Sequence, residues 1–148
     1  MVVLLAVLTI SMDIQINYLA VLAAGVSNMI LGALWYGPLF GKMWMRLMGL
    51  SDDRLNELKN RGMGKLYASA FLMALVMAFV LAHFAAVWGA VTVHGAFLLA
   101  FWVWLGFIVT TMINSVLWEG KSMKLYFVNI GYQLVALKVM ALILVLWR

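Results

Sequence analysis

The sequence predicts an all-α integral membrane protein: a four-helix bundle with a short interfacial or cytoplasmic helical segment between its first and second spans. Three observations predict it. Hydrophobic residues make up 68% of the 148 residues and charged residues 10%, against about 45–50% and about 25% in a soluble domain. Four apolar stretches reach the roughly 20 residues that a helix needs to cross about 30 Å of hydrocarbon. Lys and Arg crowd to one side of these stretches. With a mean hydropathy of +1.09, five carboxylates and ten basic side chains cannot cover a soluble sphere, so lipid is the solvent for most of the surface. Disorder is excluded by the apolar content. The absence of cysteine removes disulfides, thiolate metal sites and Cys nucleophiles.

Taken in order, residues 1–12 are apolar but too short to span. They lack the basic start and small-residue cleavage site of a signal peptide. They read either as an interfacial segment or as an extension upstream of a start at Met12; the membrane domain is 13–148. The first span lies near 17–37, and Pro38 predicts that its helix stops at Gly37. Gly41–Leu50 places Met43, Trp44, Leu47 and Met48 on one side, which suits a short helix in the interface. Ser51 is a predicted N-cap with Asp52 and Asp53 in the first turn. Glu57 and Arg61 stand at the i,i+4 spacing of an ion pair, and Gly62 and Gly64 end the segment. The remaining spans lie near 66–88, 95–118 and 123–147, the last two joined by a tight hairpin at Glu119–Ser122.

Eight Lys and Arg (Lys42, Arg46, Arg54, Lys59, Arg61, Lys65, Lys121, Lys124) fall on one side of these spans and only Arg148 on the other. By the positive-inside rule the 38–65 loop is cytoplasmic and both termini lie outside, in the inner (cytoplasmic) membrane of a bacterium. Trp35, Tyr36, Tyr67, Trp118 and Tyr126 then form the inner aromatic belt, and Tyr18, Trp88 and Trp147 the outer one. The net charge of +5 therefore reads as orientation, and no nucleic acid partner is expected.

Small residues mark helix contacts in lipid. The second span carries Ala70, Ala74, Ala78, Ala82 and Ala86; the first carries Ala20, Ala24, Asn28 and Gly32; the third carries Gly106, Thr110 and Asn114. Leu34-Trp35-Tyr36-Gly37 and Leu117-Trp118-Glu119-Gly120 form a faint repeat, which would set spans one and three side by side.

The hairpin between spans three and four puts residues at equal depth when their numbers sum to about 243. Asn114 then faces Asn129, Thr111 faces Tyr132, and Thr110 faces Gln133. Interhelical hydrogen bonding, worth about 0.6 kcal/mol per contact on average, accounts for such groups. The functional reading is a small polar cavity open to the cytoplasm, formed by Asn114, Asn129 and Tyr132 with Trp35, Tyr36 and Glu119 at its mouth. Asn28, Thr110, Thr111, Gln133 and Lys138 are secondary candidates. Lys138 sits inside a span at a cost of about 2.5–3.5 kcal/mol. Snorkelling helped by Trp102 or Trp104 accounts for it, against an anion or proton site. His83 and His94 lack nearby carboxylates, so no metal site and no cofactor are expected.

Gly32-Ala33-Leu34-Trp35-Tyr36-Gly37-Pro38 with Phe40-Gly41-Lys42 and Trp44 forms a first motif. Thr110-Thr111-Met112-Ile113-Asn114 with Leu117, Glu119-Gly120, Lys124-Leu125, Asn129 and Gly131-Tyr132 forms a second. Together they resemble a family of small bacterial membrane proteins, the domain of unknown function 1761, from about Met12 to the C-terminus. The resemblance implies four spans and a usual start at Met12. It also places Gly37 where serine is frequent and Gln133 where histidine is frequent. No activity comes with it.

An enzyme is not expected, since no Ser/His pair, paired carboxylates or phosphate loop is present. The expected function is transport or permeation of a small solute or ion by a same-orientation homo-oligomer. The eight-to-one charge bias argues against oppositely inserted copies, and no span interior holds the Asp or Glu of a small multidrug exporter. The alternative is a non-transporting protein that binds a lipid or hydrophobic ligand or supports a membrane partner.

Overall fold

The computed structural model describes residues 14–148. The apolar segment 1–12 and Asp13 lie outside the described residues. Four helices are long and apolar enough to cross a membrane: α1 (Tyr18–Leu39), α4 (Met63–Trp88), α5 (Val93–Leu117) and α6 (Met123–Leu146). Two short helices, α2 (Gly41–Leu47) and α3 (Asp52–Asn60), connect α1 to α4. Among the described residues there is no strand. The protein is thus an all-α four-span bundle.

Polar caps start the helices. Asn17 accepts from the Leu19 and Ala20 N–H groups, Ser51 from Arg54, Thr92 from Gly95 and Ser122 from Leu125. Each satisfies a backbone donor that the first turn leaves free. Gly62, at φ +90°, separates α3 from α4, whereas Gly64 lies inside α4 and ends nothing. The Glu57–Arg61 pair does not form. Glu57 instead meets Arg54 at 3.5 Å, both side chains being exposed, a contact of little energetic weight.

Pro38 does not stop the first helix. The chain widens into a π-turn over Trp35–Leu39, closed by Phe40 N–H donating to the Trp35 carbonyl at 2.8 Å. Proline supplies no N–H and crowds the carbonyl four residues back; a wider turn relieves both. The chain then folds so tightly that a Cβ on Gly41 would lie 2.5 Å from the Tyr36 carbonyl oxygen.

The last span is the hub. α6 packs against α1, α4 and α5, α1 also packs along α4, and α1 and α5 flank α6 without forming a packed pair. About half of α6 is buried, against less than a third of each other span. The expected adjacency of spans one and three is therefore corrected. The repeated Leu-Trp endings also differ: Trp35 is half-buried against α6, whereas Trp118 is 84% exposed.

Close packing fills the half of the bundle near Arg148. Ala20 and Ala24 of α1 meet Ala78, Leu81 and Ala85 of α4, Ala96 and Ala100 of α5, and Met140 and Ala141 of α6, all buried. Alanine seams permit the near approach of backbones that substitutes for a hydrophobic drive in lipid. The buried line on α4 is Ala74, Ala78, Leu81 and Ala85, while Ala70 is exposed. A strict four-residue series gains about 40° per step on a helix of 3.6 residues per turn, so it drifts off the contact face. On α5 the expected Gly106–Thr110–Asn114 seam does not form, all three residues being exposed. A π-turn over Trp104–Val109 inserts an extra residue there and turns the following face by about 100°.

Arg148 caps this end. Its guanidinium donates to the Ala85 carbonyl at 3.3 Å and to the Ala90 carbonyl, where Gly89 at φ +69° ends α4. A cation there complements the negative end of the helix dipole. Asn17 Nδ2 donates to the Trp147 carbonyl at 3.3 Å, tying the start of α1 to the end of α6.

Candidate functional site

The π-turn of α1 presents two aromatic side chains with different tasks. Trp35 donates its indole N–H to the Val128 carbonyl at 3.1 Å, and Gly131 leaves room for the ring, since a Cβ there would stand 3.4 Å from it. Trp35 thus clamps α1 to α6. Tyr36 donates its hydroxyl to Asn129 Oδ1 at 3.0 Å, and its ring lies 5.1 Å from Tyr132 and 5.5 Å from Trp44.

Because α1 and α5 do not meet, a cleft of about 460 Å³ opens between them at the end rich in Lys and Arg. α6 contributes Asn129 and Gln133; α5 contributes Thr111, Asn114 and Ser115. Tyr36, Trp44 and Met48 form the opposite wall, and Glu119 and Lys121 stand at the mouth. Lys121 Nζ pairs with Glu119 at 2.7 Å, so the mouth carries both signs and no net charge. Gln133 Oε1 is buried and has no hydrogen-bond partner among the described residues. Gln133 lies ten residues into α6, about 15 Å of helix rise, so the cleft reaches roughly mid-membrane depth.

Asn114, Asn129, Glu119, Tyr36, Thr111 and Gln133 therefore share one cleft. Tyr132 does not join them. It points to the α1 side, where its hydroxyl donates to Asn28 Oδ1 at 2.9 Å and lies 3.1 Å from the Asn28 carbonyl. Asn129 and Gln133, four apart, share a helix face that Tyr132 leaves. Trp35 likewise serves as a clamp and does not line the cleft.

Thr110 and Thr111 turn their hydroxyls back on their own helix, to the Gly106 carbonyl at 2.6 Å and to the Phe107 carbonyl. Tyr126 donates to the Val109 carbonyl at 3.0 Å. The Val109 carbonyl also accepts the Ile113 N–H at 3.3 Å. Lys138 extends toward the Arg148 end, with Nζ 5.6 Å from the Phe97 ring centroid. Its expected partners are corrected: Trp104 donates to the Ile130 carbonyl at 2.7 Å, and Trp102 is exposed. Among the described residues no group of three His, Asp or Glu could hold a metal ion.

Sequence reasoning missed Trp44, Met48, Lys121 and Ser115 in the cleft. Trp44 and Met48 were legible only as the apolar side of an interfacial helix. Its docking against Tyr36 depends on the π-turn.

Fold and composition define a multi-pass helical membrane protein with a polar cleft at one end. The chain belongs to the family described as Protein of unknown function (DUF1761), which matches residues 19–145. No curated protein and no solved structure matches it.

Proposed function

We propose that the protein admits a small, uncharged polar solute to the cleft between α1 and α5 and passes it across the inner membrane of a bacterium, working as a same-orientation homo-oligomer without enzymatic chemistry. The observation that carries this reading is a polar cleft about 460 Å³ in volume that descends to mid-membrane depth. It ends above an alanine-packed half in which Ala78, Ala100 and Ala136 are all buried. A binding position near the midplane, reached from one side, is the arrangement that transporters use. Amides and hydroxyls share the lining with Trp44, Met48, Met112 and Leu125, and the Glu119–Lys121 pair is neutral in sum, which favours a neutral solute. Movement beyond Gln133 requires the alanine seams to slide, or a route between copies.

The charge bias supports a cytoplasmic cleft mouth. The chain has no cysteine, so Lys59→Cys creates a unique thiol. An impermeant maleimide added to intact cells should leave it unlabelled and should label it after lysis; labelling before lysis reverses the topology.

Stopped-flow swelling of proteoliposomes in glycerol and in urea tests transport. The protein should accelerate swelling at least about tenfold over protein-free vesicles, and Asn114→Leu should remove most of the gain, because an apolar side chain leaves the desolvated solute unpaired. Swelling at the protein-free rate with both solutes counts against the reading. A second reading, retention of a hydrophobic ligand without transport, draws support from a separate cleft between α1 and α4.

A further inference from the structure

Asn28 is the polar side chain in the buried core of the described residues, 8% exposed. It lies ten residues from the start of α1 and eleven from its end, so about 15 Å of helix rise separates it from either end of the span. An amide at that depth costs free energy unless its groups are paired. Its Oδ1 is paired with the Tyr132 hydroxyl at 2.9 Å. Its Nδ2 has no partner among the described residues.

The open space beside Asn28 is a second cleft, about 440 Å³, between α1 and α4. Gly32, Ala33 and Ala70 keep its walls low, and Tyr36, Tyr67 and Tyr132 border it with aromatic rings. Tyr36 alone lines both clefts and stands between them. No charged residue lines this one, which selects an uncharged guest. Its position within the apolar spans makes the bilayer the source of that guest. The free group at its inner end is a donor, so the guest must bring an acceptor to mid-membrane depth. The ester carbonyls of glycerolipids stay near the interface with their headgroups. A flat ring bearing a carbonyl on a hydrocarbon tail reaches the interior and stacks on tyrosine faces.

We propose that the cleft between α1 and α4 binds a bilayer-dissolved quinone, whose ring carbonyl accepts a hydrogen bond from Asn28 Nδ2 while the ring lies among Tyr36, Tyr67 and Tyr132. This is independent of solute passage through the cleft at Glu119.

The full chain in detergent, titrated with a benzoquinone carrying a decyl chain, tests the proposal through tryptophan quenching. The Trp35 ring lies 6.2 Å from that of Tyr132, within reach of a quencher in the cleft. Saturable quenching at one quinone per chain is expected. Ala70→Phe fills the cleft from an exposed position that carries no packing, and should weaken binding at least about tenfold. Asn28→Leu removes the donor and should do the same. Asn114→Leu, in the other cleft, should leave quinone binding unchanged. Quenching that rises without saturation overturns the proposal, as does saturable quenching that survives Ala70→Phe or that falls as far with Asn114→Leu. Displacement of the quinone by equimolar phosphatidylglycerol also overturns it and assigns the cleft to a glycerolipid.

Discussion

Replacing Ala78 with leucine should lower the thermal stability of the bundle more than any other single change to an alanine seam. Ala78 is fully buried in the core that also holds Ala20 and Ala24 of α1 and Leu137 and Met140 of α6. Overpacking a dense core costs about 1–3 kcal/mol. Here α1, α4 and α6 pack together around Ala78, so the added isobutyl group has to push helices apart. At about 2–4 °C per kcal/mol for a chain of this size, the melting temperature in detergent should fall by roughly 2–12 °C. The same substitution at Ala70, which is exposed, should cost little. Equal melting of the Ala78→Leu variant and the parent would sink the assignment of this seam.

Gln133→Leu should move stability and function in opposite directions. Its Oε1 is buried without a partner, and an unpaired buried polar group costs about 1–3 kcal/mol. Leucine keeps most of the volume and removes the acceptor, so the melting temperature should rise by several degrees. In proteoliposomes the variant should lose most of its glycerol and urea flux, because the deepest polar group of the cleft is gone. A variant that melts lower than the parent would mean that Gln133 holds the helices together; unchanged flux would remove it from the solute path.

The spans were legible because length and hydropathy alone set them, and Ser51 could be read as a cap from its place before Asp52. The two π-turns were not legible. At Pro38 the general rule favours a stop, whereas the docking of Trp35 and Tyr36 on α6 accompanies the widened turn. At Trp104–Val109 the sequence offers no proline at all, so the loss of the Gly106–Thr110–Asn114 seam was hidden. Depth arithmetic placed Asn114, Asn129 and Glu119 in one cleft because depth depends on the hairpin alone. It failed for Tyr132, since azimuth depends on which helix sits on each flank of α6. Lys138 was expected beside Trp102 or Trp104, but the ring next to its Nζ is that of Phe97, nearer the Arg148 end.

The central place of α6 bears on how the chain is made. Spans enter the membrane in the order of synthesis, and the helix that the other three pack against is the last of them. α1 and α4 can pair as soon as both are inserted. α5 has little to rest on until α6 arrives, so for the interval in which residues 123–146 are being translated it stands in lipid with Thr110 and Thr111 bonded only to their own helix. Ribosome stalling or premature termination within that stretch would leave three inserted segments without a common partner. A membrane-embedded quality-control protease would meet them in that state.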